Sequence, residues 1–208
     1  MAESKIENIE ILAAIGFGFT MLFYAFDAVN TFNTDKENKI GHPNGPTSKY
    51  DVWLIADPTL NSLELWLSGV VLFITGIFEA LNEKVMDANI CIIYSSFWIT
   101  TWFFSSGKSG YSTSSDDPTM DELGLFHLLF LIIAAVFAIA KLKSKKIELA
   151  CHGAFAVFLL FMVIFYFTKE KVLLRIAGIF GFIDAAVWWY LGFGSLINEG
   201  MGDIVPMF

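Results

Sequence analysis

The stretch LLFLIIAAVFAIA, Leu128 to Ala140, presents no polar side chain on any face of a helix. AFAVFLLFMVIFYF, Ala154 to Phe167, offers only the hydroxyl of Tyr166. A helix packed on a water-soluble core needs a polar side towards solvent, and neither run supplies one. Both therefore read as segments that cross a bilayer.

The rest of the chain repeats the pattern. Segments of about 9–29, 63–81, 88–105, 123–140, 149–167 and 172–197 reach or approach the length needed to cross the hydrocarbon. Their few charges include Asp27, Glu64, Glu79, Arg175 and Asp184. The second has the shortest charge-free stretch, because Glu64 and Glu79 bracket it closely. The sequence thus predicts an all-α integral membrane protein: one domain over 1–208, six transmembrane helices, and neighbours antiparallel across the short connections 82–87, 141–148 and 168–171.

Composition agrees. Of 208 residues, 56% are hydrophobic and 16% charged, and mean hydropathy is +0.62. Soluble domains carry more charge and less apolar weight. The net charge of −8 leaves no basic stripe for nucleic acid. Cys91 and Cys151 fall inside apolar runs and read as small buried hydrophobes. No HExxH, Glu-x-x-His pair or Cys/His cluster points to a metal, and no nucleophile–base pair or phosphate loop points to an enzyme. Neither a metal nor a cofactor is expected. MAESKIENIE, residues 1–10, lacks the basic start and cleavage site of a signal peptide, so the first segment is expected to stay in the mature protein.

Lys141, Lys143, Lys145 and Lys146 form the densest basic cluster, which places that turn in the cytoplasm under the positive-inside rule. An even span count then sets both termini there, most simply in a cell membrane. The longer connections, 30–62 and 106–122, fall outside; YDVWLIADP in the first is apolar enough to lie on the membrane surface.

Polar groups at membrane depth are expensive, so they nominate the site. Asp184 shares a side of span six with Gly181, Trp188 and Ala177, the small-residue side expected to pack. There it is a candidate protonatable or gating group, or a structural hydrogen-bond partner. Asp27 near the end of span one is a weaker candidate for the same role. His127 and His152 occupy first turns, where histidines more often serve interfaces or structure. In span three, Tyr94, Trp98 and Thr101 share roughly one face, which suits a narrow passage with rings setting the width.

Several motifs, in order, resemble the acetate uptake transporter family, the GPR1/FUN34/YaaH or succinate–acetate permeases. Tyr94-Ser95-Ser96-Phe97-Trp98-Ile99-Thr100 is similar to its Y-G-S-F-W-L-T run. Ala177-Gly178-Ile179-Phe180-Gly181, Tyr190-Leu191 and Leu196-Ile197-Asn198-Glu199 resemble its sixth-span pattern. Gly16-Phe17-Gly18-Phe19-Thr20 matches G-F-G-x-T, while Asn8 to Ala14 stands where the family has N-P-A-P-L-G-L, without the prolines. The 30–62 connection is also longer than the family's.

The resemblance implies a pathway within each protomer and a ring-like homo-hexamer in the bilayer. It implies passage of acetate and similar small carboxylates, in some members succinate, linked to protons. The family constriction maps to Phe17 and Tyr94, with a third member near Phe155. In such a site Tyr94 and Ser96 would offer hydrogen bonds to a carboxylate. Asp27 and Asp184 have no counterpart in that pattern, and a charged Asp184 would repel an anion. Two other readings therefore stay open: a passive channel for small neutral or cationic solutes such as ammonia or ammonium, and a membrane sensor that transports nothing.

Overall fold

The computed structural model describes residues 10–30, 62–105 and 119–207. Nearly all of the 30–62 connection, including YDVWLIADP, and residues 106–118 lie outside the described residues.

The described residues are helical almost throughout, because in hydrocarbon a backbone must bond to itself. α1 is Glu10–Asn30. A π-helical stretch, Glu64–Val71, runs without a break into α2, Leu72–Leu81. α3 is Val85–Ser105, α4 Thr119–Ala140, α5 Lys146–Thr168 and α6 Lys171–Met201. These helices fall where the six spans are expected, with several ends extended. α4 starts before Leu123 because Asp121 and Glu122 suit the positive end of the helix dipole.

Among the described residues, five helical segments are long and apolar enough to cross a membrane: Glu10–Val29, Glu64–Leu81, Met120–Ala140, Lys146–Thr168 and Lys171–Met201. α3 has the length but carries more hydroxyls, and its Tyr94, Phe97 and Trp98 form the middle of the core. On α4, Leu125, Leu129, Ile132, Val136 and Ile139 are all exposed at helical spacing, while Phe130, Ala134 and Phe137 face inward. An apolar outer stripe of that kind belongs against lipid.

α1 packs chiefly on α6, α5 lies between α4 and α6, and α2 with its π-helical lead packs on α3 and α1. The α1–α6 contact uses the small-residue face of the sequence. A Cβ on Gly181 would come within 2.8 Å of the Ala25 Cβ, and one on Gly178 within 2.9 Å of the Ala25 carbonyl oxygen. Only glycine permits that approach.

Hydroxyls tie the π-helical stretch to its neighbours. Ser68 donates to Thr20 Oγ1 at 2.8 Å, and Ser95 of α3 donates to the Gly69 carbonyl at 2.8 Å. At the end of α6, Asn198 accepts from the backbone N–H of Ile204 and of Val205 and donates to the Val205 carbonyl, folding the following residues back on the helix.

Candidate functional site

Five rings from four helices meet in the core. Phe17 of α1 lies 5.6 Å from Tyr94, 5.5 Å from Trp98, 5.1 Å from Phe155 and 4.7 Å from Trp188, centroid to centroid. Tyr94 and Phe155 are 5.1 Å apart. Phe17, Tyr94, Trp98 and Phe155 are at most 1% exposed. At these spacings the rings are in contact and close the middle of the bundle into a neck. Tyr24 and Phe158 continue the packing beyond it.

A vestibule of about 120 Å³ lies at the end that carries the α4–α5 turn and reaches one of these rings, Trp188. Ala13, Ala14, Ile90 and Leu191 give it apolar walls, and His152 and Trp188 form its inner end. The Tyr94 hydroxyl lies 3.1 Å from His152 Nδ1, and the His152 ring sits edge-on to Trp188 at 5.6 Å.

Charges at the mouth and beside it form two bridged groups. Lys141 Nζ reaches Asp87 at 2.7 Å and Glu148 at 2.8 Å. Lys84 Nζ reaches Glu10 at 2.9 Å and the buried Glu79 at 3.3 Å. Burial works against the Lys141 ammonium, yet its hydrogen bonds to Asp87 and Glu148 outweigh that and hold its pKa above the usual lysine value. Lys84 is raised in the same way, burial being overcome chiefly by Glu10.

Glu10, Glu79 and Asp87 also bring one carboxylate oxygen each to within 4.8 Å of one another, a spacing that suits a cation. The Lys84 and Lys141 ammonium groups already supply positive charge there. Linear spacing gave no hint of this trio, because its members come from three separate helices.

The structure brings Phe17, Tyr94, Trp98 and Phe155 together, and sets the other candidates apart. Ser96 is exposed on the outer side of α3 and donates to the Ile93 carbonyl at 2.6 Å. Two helical steps carry it to the side opposite Tyr94, so it is not part of the neck. Thr101 is buried but returns its hydroxyl to the Phe97 carbonyl at 2.9 Å.

Asp184 has no exposed surface, lies one turn deeper than Trp188 on α6, and is not in the vestibule wall. Asp27 is half-buried near the far end of α1. His152, expected to serve an interface or structure, proves 3% exposed and central; His127, 1% exposed, sits beyond the neck against Tyr166 and Phe97. The missed signal was the three-residue step from His152 to Phe155, which puts both on one face of α5.

A glyoxylate pathway regulator of Yarrowia lipolytica is 26% identical over 152 residues, 70% of this chain and 54% of that protein, so the chain spans about half the length of the curated relative. The structure of the bacterial acetate channel SatP superposes with a TM-score of 0.80 at 19% identity, over 98% of this chain and all of that one, which establishes the shared fold. Residues 57–206 match the model of the GPR1/FUN34/yaaH family, and the chain belongs to that family.

Proposed function

We propose that this protein is a transmembrane path for small monocarboxylates, acetate foremost, through a neck formed by Phe17, Tyr94 and Phe155 and backed by Trp98 and Trp188. The observation that carries the reading is a vestibule, charged at its mouth, that reaches Trp188 and His152, whose rings touch Phe17 and Tyr94 in turn. A ring-lined neck opposes a hydrated ion and suits a small organic acid that sheds little water. The acetate channel that shares the fold points the same way.

Passage is linked to protons in this reading. The acids lining the vestibule are Glu10, Asp87 and Glu148, against Lys141 and Lys145. That surplus of negative charge resists anions, and a dianion such as succinate most, so the neutral acid crosses most readily. Asp184 beside the neck is the proton-responsive group, with Asp27 a secondary one. The vestibule opens to the cytoplasm, as the lysine cluster at its mouth suggests, and protomers assemble as a hexamer in the cell membrane.

The same surplus favours a second reading, a passive path for ammonia or ammonium. Proteoliposomes loaded with a pH dye separate the two. Uptake of labelled acetate with internal acidification supports the first; ammonium-driven alkalinisation without acetate uptake supports the second. Silence towards every solute moves the protein to a sensing role.

A further inference from the structure

Of the five rings that make the neck, Trp188 is the one that also lines the vestibule. Its indole lies 4.7 Å from Phe17 and, edge-on, 5.6 Å from His152. The backbone that carries it is pinned against α1. A Cβ on Gly192, one turn later, would come within 2.7 Å of Ile15 Cγ1. One on Gly181, about two turns earlier, would come within 2.8 Å of the Ala25 Cβ. With α6 held before and after it, the place of the ring depends on its own side-chain torsions.

Asp184 holds those torsions. Side chains on a helix lean back over the preceding turn, and Asp184 occupies that turn. The Trp188 indole N–H donates to its carboxyl. Among the described residues no cation pairs with Asp184, and its titratable neighbours from other helices are Tyr94 of α3 and Cys151 of α5. A carboxyl at this depth is costly, and a leucine would fill a similar space without that cost. What the acid adds over leucine is an acceptor for the indole. Resting on the permeation reading above, we propose that Asp184 is a positioning residue, which holds the Trp188 ring against Phe17 and so sets the width of the neck where the vestibule reaches it.

The consequence is selectivity. A ring fixed in one rotamer leaves an opening of one shape, which passes acetate and holds back butyrate. A ring free to change rotamer samples wider openings as well as narrower ones, so discrimination falls. The indole needs an acceptor and not a charge, so an amide at 184 serves nearly as well as a carboxyl. Asp184 thus acts through Trp188 without touching the solute, in keeping with its place outside the vestibule wall.

The test uses the full chain in lipid nanodiscs with 15N-labelled tryptophan, and the same variants in liposomes. The six tryptophans give separate indole signals, and Trp188→Phe assigns the one of interest. The proposal expects a Trp188 indole proton shifted downfield by its acceptor. Asp184→Leu should move that signal upfield, and Asp184→Asn should restore most of the shift. In liposomes Asp184→Leu should lower the ratio of acetate to butyrate uptake at least fivefold, with Asp184→Asn near the parent. Trp188→Phe should lower it as far, and the double variant Asp184→Leu/Trp188→Phe should go no further. An indole signal indifferent to Asp184→Leu, or losses that add in the double variant, overturn the proposal. The wild-type signal decides even where Asp184→Leu fails to fold, since an indole proton at the upfield position of a ring without an acceptor overturns it. Acetate uptake whose selectivity ignores both residues overturns the positioning role and leaves permeation standing. Wild-type liposomes that take up neither acid remove permeation, while a Trp188 signal that still depends on Asp184 supports the hold on the ring.

Discussion

Phe17 on α1 and Trp188 on α6 hold their ring centroids 4.7 Å apart, tilted by 37°, and so close the neck between the two most intimately packed helices of the bundle. Phe17 also touches Tyr94, Trp98 and Phe155. Its truncation should therefore act on packing and passage together. Phe17→Ala is expected to cost about 3–5 kcal/mol through lost contact and a residual cavity. It should also admit larger carboxylates in a liposome flux assay. A variant as stable and as selective as the parent contradicts the neck.

Ser95 and Ser96 are neighbours with opposite fates. Ser95→Ala loses the 2.8 Å bond that joins α3 to the Gly69 carbonyl, at an expected cost of about 1 kcal/mol. Ser96→Ala loses only a bond within its own helix, and its stability should stay within about 0.5 kcal/mol with flux unchanged. Thermal unfolding in detergent, run on both variants, distinguishes them; a flux defect in Ser96→Ala would return that hydroxyl to the pathway.

Lys141 joins α3 to α5 through Asp87 and Glu148, with its own side chain 13% exposed. Lys141→Met leaves two carboxylates facing each other and should destabilise by about 1–2 kcal/mol, between the surface and buried cases. Because the folded-state pKa is raised above the unfolded one, this stabilisation is complete below about pH 10 and is lost as pH climbs through the folded value. The wild-type melting temperature should thus be steady up to about pH 10 and fall above it, and the fall should be shallower in Lys141→Met. Equal alkaline profiles would remove the bridge from the account.

Asp184→Asn keeps the size of the buried side chain and removes its ionisation. Acetate flux should persist, and its dependence on pH should flatten. Flux measured in liposomes across a pH series checks this, and an unaltered pH dependence leaves Asp184 a packing residue.

The spans were readable because lipid imposes one solution on a long apolar segment, and Leu128 to Ala140 leaves no polar face for any other. The packing of α6 on α1 was foreshadowed by Ala177, Gly181 and Ala185 at four-residue spacing. The neck was partly readable, since Tyr94 and Trp98 lie one turn apart, whereas the convergence of Phe17 and Phe155 on them came from resemblance. Ser96 misled because adjacency in a motif does not set a face. The π-helical Glu64–Val71 was invisible in the sequence, as its winding accompanies a tertiary bond, Ser95 to Gly69. His152 was discounted from its position near a helix end, although α5 begins early enough, at Lys146, to carry it inside.

The most direct test is uptake of labelled acetate into proteoliposomes of purified protein, compared for the wild type and a Tyr94→Trp variant that enlarges a ring in the neck. Saturable uptake by the wild type, lost in the variant while the protein stays folded, is the expected result. Wild-type liposomes no more permeable to acetate than protein-free ones, or a variant that transports as well as its parent, would contradict a carboxylate path through these rings.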